Sequence, residues 1–311
     1  MELGTSVPHI GRLAEPQLVV DCCRAADAAG FDGLWLADHL VVPRKMGSDY
    51  TLRAKPFPMS FEQLRATMGI NLELNTTLAV AAAVTTNVKL CTGVAVLPIR
   101  NPLFNARQLA SIDLYSGGRL VYGIGVGWLE EEAVALGMPW DRRGARTDEI
   151  IALFRALWCA EGEVVEFDGE FYKVPPIDPE PRPVQRPIPI LIGGHSEPAL
   201  DRVARLGDGW IAAGMGKDRF REALPHLAAA CERHGRDPGE LVIVNGEHTD
   251  VQLDAADPDV DGQVARAVDE LHEYEAMGVT HMKVSIRAES PNALLEMIDV
   301  YGREVIPAYR G

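Results

Sequence analysis

VKLCTGVAVLPIRNPLFNARQLASIDLYSGGRLVYGIGVGW, Val88–Trp128, is the stretch that decides the fold. It opens with a short apolar run, Val88–Cys91, that breaks at Thr92-Gly93. A helical pattern follows, with Asn101 as N-cap, Pro102 in the first turn, and Phe104, Leu109, Ile112 and Leu114 at apolar positions. Gly117-Gly118 stops that helix. A second apolar run, Leu120–Ile124, ends in alternating glycines at Gly123, Gly125 and Gly127. Strand, crossover helix and strand make a βαβ unit, so the two strands are expected to be parallel neighbours. Both end on one sheet edge in backbone with little side chain. A flat ligand can lie against such backbone, because a Cβ would hold it away.

Outward from this unit the same alternation continues. Toward the N-terminus, Met1–Val7 reads as a strand, Gln17–Ala29 as an amphipathic helix closed by Gly30, and Gly33–Ala37 as a strand followed by Asp38-His39. Val41–Gly69, rich in Pro, Lys and Arg, is far longer than an ordinary α/β connection and is a candidate lid. Leu72–Thr85 is helical. Beyond the unit, Glu130–Leu136 and Arg146–Trp158 read as helices. Glu163–Val174 alternates around Asp168-Gly169, the signature of a type I′ hairpin turn, and Pro175–Pro189 is an extended strap.

Ile190–Ile192, Asp208–Ala212, Leu241–Asn245 and Thr280–Ser285 are strands. They alternate with helices starting near Pro198 and over Lys217–His234, Val260–Met277 and Pro291–Ile306. Eight strand–helix pairs without a composition break favour one closed (β/α)8 barrel over residues 1–311. The runner-up is an open doubly wound sheet.

The totals narrow the function. A formal net charge of −15 argues against a polyanionic partner such as nucleic acid. No apolar run is long enough for a bilayer, and the start MELGTSVP lacks the regions of a signal peptide, so the expected compartment is the cytoplasm. Cys22, Cys23, Cys91, Cys159 and Cys231 are odd in number and form no CxxC, and read as buried free thiols.

Several constellations bear on chemistry. Gly123-Ile-Gly125-Val-Gly127 is no dinucleotide fingerprint, because GxGxxG needs glycine where Trp128 stands. Asp38-His39 follows the second strand, on the active-site edge of a barrel, and suits proton transfer. Gly193-Gly194-His195-Ser196 follows a strand and opens a helix, whose free N–H groups and dipole make a phosphate cradle. Asp257–Gly262 starts like a calcium loop, yet its twelfth position is Val268, and no other metal-ligand spacing occurs. The residues describe a barrel enzyme for a flat, phosphate-bearing cofactor.

The chain resembles the bacterial luciferase-like monooxygenase superfamily, most closely its deazaflavin (coenzyme F420)-dependent oxidoreductases. The likeness rests on LADHLVVP at 36–43, CTGVAVLPIRNPLFNARQLASIDLYSGGRL at 91–120, GIGVGWLEEE at 123–132 and RGARTDE at 143–149. It extends through EFDGEFY at 166–172, IGGHSEPAL at 192–200 and GDGWI at 207–211. The resemblance implies a (β/α)8 barrel, usually a homodimer, with coenzyme F420 or FMN near strands two to four.

Carried over by position, Asp38 would touch the ring and His39 would transfer a proton, with Glu131 a second catalytic candidate. Gly93 and Val94 would form a bulge behind the ring, with a cis peptide bond between them. Val126, Gly127 and Glu131 would line the ring, and Gly193, Gly194 and His195 would hold the phosphate. Where the sugar-phosphate dehydrogenase branch carries a catalytic glutamate, this chain has Trp128, so Trp128 and Trp35 point to an apolar or aromatic substrate. Three functions stay open: hydride transfer by a deazaflavin, FMN-dependent monooxygenation with a separate reductase, and non-catalytic flavin binding.

Overall fold

The computed structural model describes residues 1–44, 68–162, 164–212, 214–246, 253, 259–286 and 288–311. The strands are β1 (Glu2–Ser6), β2 (Gly33–Leu36), β3 (Lys89–Thr92), β4 (Ala95–Val96), β5 (Leu120–Gly125), β6 (Val165–Asp168), β7 (Lys173–Ile177), β8 (Ile190–Gly193), β9 (Gly209–Ile211), β10 (Val242–Gly246) and β11 (His281–Val284). The helices are α1 (Pro16–Ala28), α2 (Leu74–Val84), α3 (Pro102–Ser116), α4 (Glu130–Ala135), α5 (Arg143–Trp158), α6 (Glu197–Leu206), α7 (Lys217–Arg233), α8 (Val260–Ala276), α9 (Pro291–Val300) and α10 (Ile306–Arg310).

The sheet runs β3-β2-β1-β11-β10-β9-β8-β5, and β5 pairs back onto β3, which closes an eight-stranded parallel barrel. This is the (β/α)8 architecture, and it excludes the open doubly wound sheet. The deciding unit forms as expected: Leu90 pairs with Leu120 and Cys91 with Val121, in parallel. Asn101 caps α3 by accepting the Phe104 N–H at 3.1 Å, and Gly117 ends it in the left-handed region at φ 69°.

Strand parity separates two cores. Leu34, Leu90, Ile190, Ile192, Trp210 and Ile243 belong to the large core that includes the helices. The alternate residues Trp35, Cys91, Leu191, Ile211 and Val244 form a second cluster inside the barrel. Glycines admit the Trp35 indole there, since a Cβ on Gly4 would strike its Nε1.

Some local expectations do not hold. On α3, Leu109 and Ile112 are buried, but Phe104 and Leu114 face outward. Cys22, Cys23, Cys91 and Cys231 are buried free thiols, whereas Cys159 is exposed. The β6–β7 hairpin exists, but its turn is not a two-residue I′ type. Asp168 pairs with Lys173, and three of the four residues between are gathered by one carboxylate. Glu149 on α5 accepts the N–H groups of Glu170, Phe171 and Tyr172 at 2.7–3.1 Å. The strap is pinned in the same manner, with the buried Asp113 accepting the Gln185 N–H and side-chain amide at 2.9 and 2.8 Å. The expected lid, Val41–Gly69, lies mostly outside the described residues. Among the described residues no helix is long and apolar enough to cross a membrane.

Candidate active site

The C-terminal ends of the barrel strands gather the residues singled out above. Trp35, Gly93, Ile211, Val244, Gly246 and Lys283 line a cleft in this mouth. A wider hollow at the opposite end is lined by Met1, Glu2, Glu275, His281 and Arg310. Ion pairs cross-link the residues around that hollow: Glu2 with Lys89 at 2.7 Å and His281 at 2.8 Å, and the Met1 amine with Glu275 at 2.6 Å. The hydrogen bond from His281 holds the Glu2 carboxyl down to about 2, against the opposing effect of burial. We read that end as structural and the mouth as functional, because barrel chemistry sits at the C-terminal face.

The peptide bond between Gly93 and Val94 is cis, as the resemblance implies. The glycines around it have a reason other than ligand approach. A Cβ on Gly93 would stand 3.0 Å from the Trp35 ring, and one on Gly125 or Gly193 would meet the Val94 side chain at 2.8 or 2.6 Å. The Val94 side chain therefore packs over the paired ends of β5 and β8, where Gly125 and Gly193 leave room for it. Trp35, buried at 3% exposure, backs Gly93 from inside the barrel. Strand parity turns it inward, where it forms part of the floor of the mouth.

Asp38 and His39 follow β2 and point to different tasks. Both Asp38 oxygens are engaged by protein: Oδ1 accepts from Arg100 Nη2 at 2.8 Å, and Oδ2 accepts from Arg100 Nη1 and from the Val96 N–H. Asp38 and Arg100 are both buried. Burial pulls the Arg100 pKa down, but the Asp38 charge and hydrogen bonds outweigh it, so the guanidinium stays charged. The pair fastens the end of β2 to the segment after β4. The carboxylate of Asp38 therefore anchors this part of the mouth, beside the ring contact expected of the residue.

His39 Nδ1 lies 2.9 Å from Oε2 of Glu132, and Oε1 of Glu132 accepts the Leu40 and Val41 N–H groups. The imidazole also meets Trp128 edge-on, with centroids 5.8 Å apart at 79°. Burial pushes the Glu132 carboxyl up, but the hydrogen bond and charge of His39 and the two backbone donors together leave it below its ordinary value. Glu131 is half-exposed on the same helix, and Glu132 is the one turned to His39.

On the other side of the mouth, Gly127 takes a left-handed φ of 79°, and its carbonyl accepts from Arg143 Nε at 3.3 Å. Val126 precedes it, half-buried. The Arg143 guanidinium stacks 4.0 Å over Trp140. Gly194, at φ 117°, has a conformation that glycine adopts readily, and its carbonyl is drawn away by Trp210 Nε1 at 2.6 Å. Ser196 at the start of α6 makes no side-chain cap, so the first-turn N–H groups face the turn uncapped by it. His195 is half-buried, and burial together with the charge of Arg219 lowers its pKa, which favours the neutral ring. This turn fits a phosphate, with Arg219 as nearby counter-charge.

Sequence reading located His39, the Gly93–Val94 bulge and the Gly193–Ser196 turn. It missed Glu132, Arg100, Arg143, Trp210 and Arg219. The only signal for Glu132 was the third carboxylate in EEE at 130–132, which does not say which one faces inward.

Comparisons with known proteins identify the family. The family model described as luciferase-like monooxygenase matches residues 2–280. An uncharacterised protein of Mycobacterium tuberculosis is 33% identical over 236 residues, covering 73% of this chain and 76% of that one. An FMNH(2)-dependent dimethylsulfone monooxygenase of Pseudomonas putida is 31% identical, over 58% of this chain and 51% of its own. An F420-dependent glucose-6-phosphate dehydrogenase of Intrasporangium calvum is 27% identical over 95% of this chain and 96% of its own. Among solved structures, an F420-dependent secondary alcohol dehydrogenase superposes with a TM-score of 0.76 at 16% identity, covering 100% of this chain and 99% of the other. From its barrel, its mouth and these matches, the chain belongs to the luciferase-like monooxygenase family.

Proposed function

We propose that this protein is a deazaflavin (coenzyme F420)-dependent oxidoreductase that transfers a hydride between its cofactor and a small apolar or aromatic molecule. The observation that carries the reading is His39, held at the barrel mouth with Nδ1 committed to Glu132 and its ring against Trp128. When bound, a deazaflavin supplies a carbon that gives or accepts hydride and reacts poorly with oxygen. The protein must then align two carbons and manage one proton, which His39 Nε2 can hold or release. In this reading Gly93 and Val94 offer backbone to the ring, with Val126 and Gly127 at its edge. Gly193, Gly194, His195 and Arg219 hold the phosphate. Trp128 faces the substrate, and Glu131 sits at the rim as the second proton-handling candidate. Near full-length similarity to an F420-dependent dehydrogenase supports the choice of cofactor.

The second reading is an FMN-dependent monooxygenase served by a separate reductase, favoured by the similarity to an FMNH(2)-dependent enzyme. Oxygen uptake separates the two. Reduced cofactor is mixed with a panel of aromatic ketones and quinones while oxygen is monitored. Hydride transfer predicts substrate-dependent reoxidation under nitrogen, without an oxygen requirement. Reoxidation and product that appear only with stoichiometric oxygen uptake would establish the monooxygenase. Binding of cofactor with neither reaction would leave the non-catalytic flavin-binding protein.

The protein is further proposed to act as a homodimer through the outer face of α2 and α3. That face exposes Val80, Phe104, Leu114 and Tyr115, with Phe104 65% and Tyr115 76% exposed.

A further inference from the structure

We propose that Glu132 is a positioning residue that fixes the tautomer of His39, so that Nε2 carries the lone pair at the barrel mouth. The inference rests on the role proposed for His39, but its first test does not need the cofactor. An ionised carboxylate can only accept hydrogen bonds, so the 2.9 Å contact with Oε2 requires the proton on Nδ1. The other oxygen, Oε1, is already held by the Leu40 and Val41 N–H groups, so the carboxylate cannot rotate away without losing both. Glu132 is 1% exposed, and its helix neighbour Ala133 is buried with Val96 and Ile99, which fixes the direction from which it reaches His39. The edge contact with Trp128 also limits the ring.

The arrangement also defines how the dyad cycles. When His39 accepts a proton at Nε2, the resulting imidazolium lies against the carboxylate, which stabilises it without itself taking the proton. When His39 returns that proton to substrate, the Nδ1–H tautomer is restored. Glu132 never contacts the reacting atoms.

A Glu132→Gln variant makes the claim sharp. The amide oxygen can keep the two backbone donors, which turns the NH₂ toward His39. Nδ1 must then accept, and the proton moves to Nε2, the wrong tautomer for accepting a proton there. The experiment is nitrogen-15 NMR of histidine-labelled, cofactor-free protein at alkaline pH, with His39 identified by its loss in His39→Asn. The wild type is expected to show His39 protonated on Nδ1, the reverse of an unconstrained imidazole. Glu132→Gln is expected to show it on Nε2, and Glu132→Asp to return it partly to Nδ1. A wild-type His39 protonated on Nε2, or sampling both tautomers as a free imidazole does, overturns the proposal, and this spectrum suffices even if neither variant folds.

In turnover, Glu132→Gln is expected to lower kcat roughly 10²- to 10⁴-fold with KM little changed. Unaltered kcat in a variant that binds cofactor normally would also overturn it. If the tautomer results hold but no deazaflavin reaction is found, the cofactor reading fails and the positioning role stands.

Discussion

His39 and Asp38 are adjacent in the chain, yet they are expected to fail in different ways when altered. His39→Asn keeps the backbone contacts of the mouth and should leave cofactor affinity nearly unchanged. The rate should fall by about 10²- to 10⁴-fold, read from steady-state turnover beside a binding titration. Unchanged turnover would remove His39 from the mechanism. Asp38→Ala instead strands the buried Arg100 guanidinium. Removing one partner of a buried ion pair costs about 3–5 kcal/mol, so urea denaturation should show a loss of that size. Little change would mean that Arg100 finds another partner, such as Glu73, whose carboxylate lies 3.5 Å away.

The acid limb of stability follows from Glu132. Its folded pKa lies below the ordinary 4.5, so the unfolded chain binds the proton more readily. Its contribution is therefore complete above about pH 4.5 and lost as pH falls through the depressed value. Melting temperature should fall less steeply below pH 4.5 in Glu132→Gln than in the wild type. Parallel curves would show that the carboxylate gains nothing from its surroundings. This residue also marks where sequence reading stopped. Glu131 and Glu132 lie about 100° apart around a helix, and only the packing of α4 decides which one meets a histidine 93 positions earlier.

Elements whose ends follow local rules were the legible ones. Asn101, Pro102 and Gly117 bound α3 because capping and left-handed backbone depend only on a few neighbouring residues. The β6–β7 turn was misread because its organiser, Glu149, is about twenty residues away on another element and overrides the Asp-Gly preference. Replacing Glu149 with Ala should free three backbone N–H groups and cost about 1–3 kcal/mol. Hydrogen exchange at Glu170, Phe171 and Tyr172 should quicken while the exchange of β8 and β9 amides is unchanged. Equal protection at those three amides would show that the turn holds itself. Trp35 illustrates the converse problem: Gly33–Leu36 is apolar throughout, so no alternation reveals which residues face into the barrel.

At the scale of the molecule, the eight-fold alternation of strand and helix was enough to anticipate closure, since each parallel crossover admits one hand and the repeats leave no free edge. Phe104 and Leu114 fit the apolar pattern of α3 yet face outward; periodicity alone does not say which apolar positions a helix buries. Exchanging Phe104 and Tyr115 for Glu should convert a dimer to a monomer in sedimentation with the barrel intact by circular dichroism. A monomeric wild type would remove the dimer.

The cofactor is the central claim, and paired titration tests it most directly. Oxidised and reduced deazaflavin, and oxidised and reduced FMN, are each added to the protein while tryptophan fluorescence is followed. Tight binding of deazaflavin, stronger than that of FMN in either redox state, is the predicted result. Tight binding of reduced FMN with no detectable deazaflavin binding would contradict the account and favour the monooxygenase.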